Sequence, residues 1–338
     1  MNYGFSETCL AHETGPRHPE NPDRLRAIKE GLKRRHGVSY VEADPVDDAT
    51  LTAVHEPEYI EDIKAFCANG GGKWDPDTIA VEKTWEAARA SAGLAQWAAT
   101  EALDGARGRQ TPFSLGRPPG HHAITDDAMG FCFVNNVAVA AQTALDDGAD
   151  RVAIVDFDVH HGNGTEEIFY DRPEVFFASV HEAGIYPGSG DLTDTGTGAG
   201  EGRTLNIPLP KGAGDAAYQQ TIERLIIPGI QAVDPDVLLI SAGFDAHEYD
   251  PISRMTVSSE GYGAIVAKLQ RLATELDVGL GVILEGGYDL EVLASAIGTV
   301  HEVFDGYEPA ATTDDPDDEI KERIARVADT HPLLTDET

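Results

Sequence analysis

Residues 151–164, RVAIVDFDVHHGNG, join an apolar strand-like run to a cluster of charged side chains. The uninterrupted apolar residues 152–155 are typical of a strand buried on both faces of a parallel sheet. Similar runs are TPFSLG (111–116), EVFFASV (174–180), TLNIPLP (204–210), DVLLISAG (236–243) and GLGVILEGG (279–287). Helical patterns lie around them at 57–68, 82–104, 135–147, 215–233 and 258–276, and an earlier one starts at Asn21 as N-cap and closes at Gly37. This alternation predicts an α/β fold with a parallel sheet covered by helices on both faces.

Composition favours one acidic domain over residues 1–338, with residues 308–338 as a peripheral acidic helix or tail. The chain has 25 Lys and Arg against 59 Asp and Glu, a net charge of −34. Such a surface repels nucleic-acid phosphates and is typical of proteins adapted to molar salt. No apolar stretch reaches the roughly 18 residues of a membrane helix. The unpaired spacing of Cys9, Cys67 and Cys132 indicates reduced thiols. We therefore expect a cytoplasmic protein with neither nucleic-acid nor membrane partners.

The charged cluster after the apolar run is typical of a metal site. If the extended conformation continues past Phe157, a period of two places Asp156, Asp158 and His160 on one face. Asp245 follows another buried strand and offers a further ligand. Two carboxylates and one imidazole with a position left for water would suit catalytic zinc, and the oxygen-rich set would also accept Fe(II) or Mn(II).

Two other strand ends carry groups for acid–base and oxyanion chemistry. His121 and His122 follow GRPPG and could exchange a proton near neutral pH. Tyr288, after Gly286 and Gly287, could donate a hydrogen bond to a developing oxyanion. Alone, a strand-end Asp is often a helix N-cap, an HH pair is more often structural, and GG before Tyr could be only a turn. Their joint occurrence favours a hydrolytic site.

The motifs HPENPDRLRAI, GRPPGHHA, GFCFVNNVAVAA, IVDFDVHHGNGTEEIF, YPGSGD, SAGFDAHEYDP and LEGGYDL occur in this order. Together they resemble the histone deacetylase family, especially its class II and acetylpolyamine amidohydrolase-like branch. The resemblance implies an eight-stranded sheet of the arginase–deacetylase type. It also implies a Zn(II) site at Asp158, His160 and Asp245, with His121 and His122 as the acid–base pair and Tyr288 polarising the acetyl carbonyl.

The same resemblance implies further roles around this centre. Asp156 and Asn163 would support the histidine pair. The residues expected to line an acyl-lysine tunnel and its rim are Gly130, Phe131, Tyr186, Ile252, Gly287 and Asp77. An inner K⁺ site, mostly of carbonyl oxygens, would involve Asp156, Asp158, His160, Ser179 and Val180.

The expected function is removal of acetyl or other acyl groups from N-acetylated lysine side chains or related amines, with release of acetate. A deacetylase of acetylpolyamines or other small molecules is one alternative. The other is a noncatalytic acetyl-lysine-binding or acetate-metabolism accessory protein, which the complete set of ligands, histidines and Tyr288 disfavours. The oligomeric state is open, with a homodimer among the alternatives, and so is the choice of base between His121 and His122.

Overall fold

A computed structural model of the chain describes residues 1–310, 312 and 314–335. Its strands are β1 (Asn2–Gly4), β2 (Ser39–Val41), β3 (Gly71–Lys73), β4 (Ile79–Val81), β5 (Pro112–Ser114), β6 (Val152–Asp156), β7 (Val175–Glu182), β8 (Thr204–Leu209), β9 (Val237–Ala242) and β10 (Gly279–Leu284). Eight of them form one sheet in the order β2–β1–β5–β10–β9–β6–β7–β8, and every neighbouring pair is parallel. Strands β3 and β4 form a separate antiparallel pair.

Helices cover both faces of this sheet. They are α1 (Asp23–Leu32), α2 (Asp48–Leu51), α3 (Pro57–Ala68), α4 (Thr84–Leu103), α5 (Asn136–Asp146), α6 (Asn163–Phe169), α7 (Asp215–Thr221), α8 (Ile227–Val233), α9 (Ser259–Glu275), α10 (Leu290–Phe304), α11 (Asp318–Thr330) and α12 (Pro332–Thr335). A π-helical segment, Ile222–Ile226, joins α7 to α8. None of the helices in the described residues is both long and apolar enough to cross a membrane.

Strand β6 shows why its sequence is apolar without interruption. Ala153 and Val155 belong to a core shared with α1, α9 and α10, whereas Val152 and Ile154 belong to a second core shared with α3, α4 and α5. Successive side chains of a strand point to opposite faces, so a strand between two helical layers needs apolar residues at every position. The predicted single-domain α/β fold with an eight-stranded parallel sheet is confirmed.

Several boundaries differ from the sequence predictions. The helix predicted from Asn21 to Gly37 spans only Asp23–Leu32, with Lys33 as its C-cap, and Gly37 takes a φ of +71° ahead of β2. The last acidic helix is present as α11, and it buries Ile320, Ile324 and Val327 in the core. Residues 311, 313 and 336–338 of the predicted acidic segment lie outside the described residues.

Some elements carry too weak a pattern to be predicted. Strands β1 and β2 have three residues each, and α6 has seven, which is too short for a period to emerge. Helix α10 was also missed, although Asp289 caps it by accepting hydrogen bonds from the amides of Glu291 and Val292.

Candidate active site

The candidate residues lie beyond the carboxyl ends of β6, β9 and β10, which are neighbours in the sheet. Asp156 of β6 pairs in register with Ser241 of β9, and Ala242 of β9 pairs with Leu284 of β10. The segments that follow these pairs therefore leave the sheet side by side. Ligands commonly bind at this edge of an open α/β sheet.

Asp158, His160 and Asp245 meet at this edge. One donor atom from each lies within 4.8 Å of the others. The Nδ1 atom of His160 is 3.1 Å from Oδ1 of Asp158 and 3.3 Å from Oδ2 of Asp245. The three residues predicted as metal ligands are thus close enough to bind one ion together.

The backbone conformation that brings these three residues together is not the extended one that the sequence argument assumed. Strand β6 ends at Asp156, so the extended conformation expected to continue past Phe157 is wrong. Instead, the amide of Asp158 donates to Oδ1 of Asp156, and the amide of His160 donates to Oδ1 of Asp158. Two successive side-chain-to-backbone turns of this kind curl the segment and bring Asp158 and His160 together.

The donors suit a divalent cation. The amide of Gly286 donates to Oδ2 of Asp158, and the amide of Val159 donates to Oδ1 of Asp245, so both carboxylates are held in place. Oδ2 of Asp245 is buried and makes no hydrogen bond to the described residues. A Cβ atom at Gly286 would lie 2.2 Å from this oxygen, so glycine keeps the space open. A buried acceptor beside an imidazole, in a space kept clear of side chains, fits a bound metal ion.

The charges around this centre are mutually dependent. Burial and the negative charge of Asp158 raise the pKa of Asp245 to about 7. Burial lowers the pKa of His160, but its contacts with the two carboxylates outweigh this and raise the pKa to about 10. The site therefore favours positive charge, which a divalent cation supplies in place of a proton.

His121 and His122 lie beside this cluster with their ring centroids 4.1 Å apart. Nδ1 of His121 donates to Oδ2 of Asp156 at 2.9 Å, and Nδ1 of His122 donates to Oδ1 of Asn163 at 2.7 Å. Asp156 and Asn163 thus lie where the resemblance implied, each orienting one imidazole.

The two imidazoles differ in charge preference. Burial opposes the charged form of His121, but the carboxylates of Asp158 and Asp156 raise its pKa to about 10. The pKa of His122 lies well below its usual range because of burial and the nearby positive charges of His121 and His160. One member of the pair is therefore held protonated and the other neutral.

Tyr288 lies near Phe131, and their ring centroids are 5.9 Å apart. Burial raises the pKa of its phenol well above 10, so the hydroxyl stays a hydrogen-bond donor. Among the described residues, no side chain or backbone group is hydrogen-bonded to this hydroxyl. It is therefore free to donate to a bound molecule.

Two residues that the sequence did not single out hold Tyr288 in place. The carboxylate of Asp250 accepts hydrogen bonds from the amides of Tyr288 at 2.7 Å and Asp289 at 3.3 Å. The guanidinium of Arg24 lies 5.0 Å from the centre of the Tyr288 ring and donates to the carbonyl of Gly287. Both contacts join segments far apart in the chain, and no local pattern encodes them.

Gly130 and Phe131 lie on one side of the candidate site. Both have positive φ, +55° and +70°, which is costly for a phenylalanine and is sustained by the tight turn that pairs Met129 with Cys132. A Cβ atom at Gly130 would lie 2.3 Å from Cδ2 of His122, so only glycine allows this approach. The turn thereby holds the Phe131 ring near those of His18 and Tyr288, with centroids 4.7 and 5.9 Å away.

Tyr186 lies beside Gly130 and His122. Its ring stands perpendicular to that of His122 at 5.1 Å and is 40% exposed. The loop that carries Tyr186 is tied to the metal-ligand segment because Nδ1 of His161 and Oγ of Ser189 are 2.8 Å apart. Nε2 of His161 faces a carboxylate oxygen of Glu166 at 3.2 Å. Sequence reasoning assigned no role to His161.

The remaining predicted tunnel residues differ in exposure. Asp77 is exposed, and its backbone carbonyl lies 2.9 Å from Nε2 of His18 beside a cleft of about 480 Å³ that Phe131 also lines. Ile252 is half-buried, and its amide donates to Oδ1 of Asp250. Gly287 is buried, with φ at +114°. No contact in the structure tests the roles predicted for these residues.

The predicted monovalent-cation residues lie at and beyond the end of β6 and in the middle of β7. Asp156 pairs in register with Ser179, and Val180 follows in β7. Oγ of Ser179 lies 3.0 Å from Nδ1 of His181. The site stays a prediction.

The comparisons with known proteins agree with this geometry. The family described as the histone deacetylase domain matches residues 18–304. A histone deacetylase-like amidohydrolase of Pseudomonas aeruginosa is 38% identical over 310 residues, covering 84% of this chain and 80% of that protein. A probable deacetylase of Archaeoglobus fulgidus is 37% identical over 293 residues, covering 85% and 81%. The crystal structure of the HDA15 HD domain superposes with a TM-score of 0.88 at 35% identity, covering 98% of this chain and 93% of that one.

The fold and the site are those of an α/β hydrolytic enzyme with its centre at the carboxyl edge of a parallel sheet. The chain belongs to the histone deacetylase family, and it is a hydrolase of the deacetylase class. The resemblance stated from the motifs is confirmed.

Proposed function

We propose that this chain hydrolyses N-acetylated amines at a divalent cation held by Asp158, His160 and Asp245. The observation that supports this best is the meeting of one donor atom from each residue within 4.8 Å, at a place where Oδ2 of Asp245 is buried and has no hydrogen-bond partner among the described residues. We propose Zn(II) as the resident ion, with Fe(II) as the alternative, because two carboxylates and an imidazole accept either.

When bound, such a cation supplies Lewis acidity, which polarises an acyl carbonyl and eases deprotonation of water. His122 is the proposed base, because the bond from its Nδ1 to Asn163 leaves Nε2 free to accept a proton. His121, paired with Asp156, adds positive charge beside the reacting groups. The sequence left the choice between His121 and His122 open, and this hydrogen-bond pattern supports His122.

The water oxygen attacks the acetyl carbon, and its proton passes to Nε2 of His122. The hydroxyl of Tyr288 donates to the carbonyl oxygen as negative charge develops there. His122 then returns the proton to the amine nitrogen as the C–N bond breaks, which leaves acetic acid and the free amine. The acid passes its remaining proton to the amine, and the products are acetate and an ammonium group. Every proton is accounted for by the side chains of this chain and the water.

The proposed substrates are acetylated lysine side chains, with small acetylated amines as the alternative. Phe131 and Tyr186 present aromatic faces at the mouth, which suit an aliphatic chain bearing the acetyl group. Relatives named histone deacetylases favour the lysine substrate.

The test is to measure metal content and hydrolysis of an acetyl-lysine peptide, acetylspermidine and acetylputrescine, before and after chelation. We expect turnover that chelation abolishes and added Zn(II) or Fe(II) restores. The control variant Asp245→Asn should keep the fold and lose both metal and turnover. Absence of turnover on every substrate, despite a full metal site, would favour the noncatalytic acetyl-lysine-binding or accessory protein instead.

We also propose that K⁺ binds near Asp156 and Ser179, and that the acidic surface is an adaptation to a salt-rich cytoplasm. Repulsion among 59 acidic side chains is screened as salt rises, since the Debye length shrinks to about 3 Å at 1 M. Running the same assay from millimolar to molar KCl, with tetramethylammonium chloride as the matched salt, separates screening from specific binding of K⁺.

A further inference from the structure

Glu285 is a buried carboxylate that the proposed chemistry does not use. It follows β10 directly, and its side chain is completely shielded from solvent. Burial raises the pKa of Glu285 to about 7. No Lys, Arg or His nitrogen of the described residues lies within 4 Å of its carboxylate oxygens. A buried acid without a cationic partner is costly, so its contacts need an explanation.

Those contacts hold the segment 117–122, which carries His121 and His122 and is called the histidine loop below. Oε2 of Glu285 accepts hydrogen bonds from the amide of Gly120 at 2.7 Å and from that of His121 at 3.2 Å. Oε1 accepts a hydrogen bond from the hydroxyl of Ser241 at 3.1 Å. The amide of Glu285 itself donates to the carbonyl of Ala242. Its backbone is thus fixed to the sheet while its side chain holds the loop.

Other groups hold the carbonyls of the loop: that of Pro118 accepts from Ser91 and Asn136, and that of His121 accepts from the amides of Gly164 and Thr165. Pro118 and Pro119 have no amide hydrogens, so Gly120 and His121 provide the first backbone donors after the proline pair. Gly120 is confined from the other side, since a Cβ atom there would lie 2.3 Å from the amide nitrogen of Asn136. Movement of the loop by a fraction of an ångström would move both catalytic imidazoles.

We propose that Glu285 is a positioning residue for the histidine pair, which it fixes by accepting the amides of Gly120 and His121. This inference rests on the proposed function, because it concerns the proton transfer assigned to His122. It predicts that loss of these two hydrogen bonds lowers kcat and leaves substrate binding and metal binding unchanged.

The test compares three variants of the metal-loaded full chain. Glu285→Gln keeps an oxygen acceptor at the same distance and should retain kcat within about threefold. Glu285→Met keeps the volume but removes both acceptors, and should lower kcat by tenfold or more with KM and metal content unchanged. Ser241→Ala removes the third hydrogen bond to the carboxylate without touching the loop, and should behave as wild type.

If Glu285→Met does not fold, Glu285→Asp serves in its place, because it keeps the acid and withdraws it from the loop. Turnover within threefold of wild type in the Met or Asp variant overturns the proposal. A loss that Glu285→Gln shares, or one accompanied by lost metal, also overturns it, since either would show a merely structural role.

A second readout does not depend on turnover. The Nδ1 proton that His121 shares with Asp156 should give a downfield imidazole resonance, assigned by its loss in Asp156→Asn. The resonance should persist in Glu285→Gln and shift or broaden in the Met or Asp variant. An unshifted resonance there contradicts the positioning role. Failure of the wild-type enzyme on every acetylated amine contradicts the proposed function alone.

Discussion

Removing the Asp250 carboxylate should slow catalysis by releasing Tyr288. Asp250 accepts backbone hydrogen bonds from Ile252, Tyr288 and Asp289 at 3.1, 2.7 and 3.3 Å, and it is 6% exposed. At about 1 kcal/mol for each bond, Asp250→Ala should lower the free energy of unfolding by about 3 kcal/mol. A missing oxyanion donor costs about 3 kcal/mol of transition-state stabilisation, so partial misplacement of the Tyr288 hydroxyl should lower kcat by tenfold or more.

A double-mutant cycle separates this effect from general damage. Tyr288→Phe should lower kcat by roughly a hundredfold or more. In the Tyr288→Phe background, Asp250→Ala should cost less than about twofold, because the hydroxyl that Asp250 positions is already absent. Asp289→Ala is the matched control, since it removes the cap of α10 next to Tyr288 but not the bond to the Tyr288 amide.

The assay is single-substrate turnover of an acetyl-lysine peptide under conditions in which every variant is folded, checked by denaturant unfolding. Equal losses of kcat from Asp250→Ala in the two backgrounds would refute the reasoning. So would a loss of the same size in Asp289→Ala.

The remaining predictions concern stability and the mouth of the site. Burial raises the pKa of Glu20, but its ion pair with Arg117 outweighs this and lowers the pKa from 4.5 to about 2. The stability from ionised Glu20 is therefore fully present above pH 4.5 and falls by about 3 kcal/mol as the pH drops to 2, which urea unfolding across this range should show and Glu20→Gln should flatten. Ser189→Ala breaks the contact with His161 and should raise KM about threefold with kcat unchanged, because only the loop of Tyr186 is loosened. A threefold fall in kcat at constant KM would contradict that role.

The sequence predicted those parts of the fold that repeat a local pattern. Strands β5 to β10 are buried runs that the sequence shows as apolar segments. The number of strands in the sheet, eight, was predicted only from the family resemblance. Short edge strands depend on hydrogen bonds to neighbours rather than on their own residues, so β1 and β2 could not be predicted from period or propensity.

The residues of the candidate site were also predicted only in part. The predicted metal ligands, histidines and Tyr288 were found because each follows a recognisable strand end. Asp250 and Glu285 were not predicted, because their partners are backbone amides 38 and 165 residues away. Every residue except proline has such an amide, so the sequence does not mark which one a carboxylate will bind. The argument from an extended strand placed His160 correctly for the wrong reason, since turns rather than pleating bring it to Asp158.

The same edge of the sheet explains why so many acids are buried together. Four acids, Asp156, Asp158, Asp245 and Glu285, are at most 1% exposed. Among the described residues, the imidazoles of His121 and His160 are the only cationic groups with a nitrogen within 4 Å of any of their oxygens. A buried carboxylate is tolerated where hydrogen bonds or a cation compensate for lost hydration. Backbone amides compensate each of Asp158, Asp245 and Glu285 in part. Among the oxygens of these four carboxylates, Oδ2 of Asp245 alone has no hydrogen-bond donor in the described residues, so the oxygen least compensated for its lost hydration belongs to a proposed ligand of the cation.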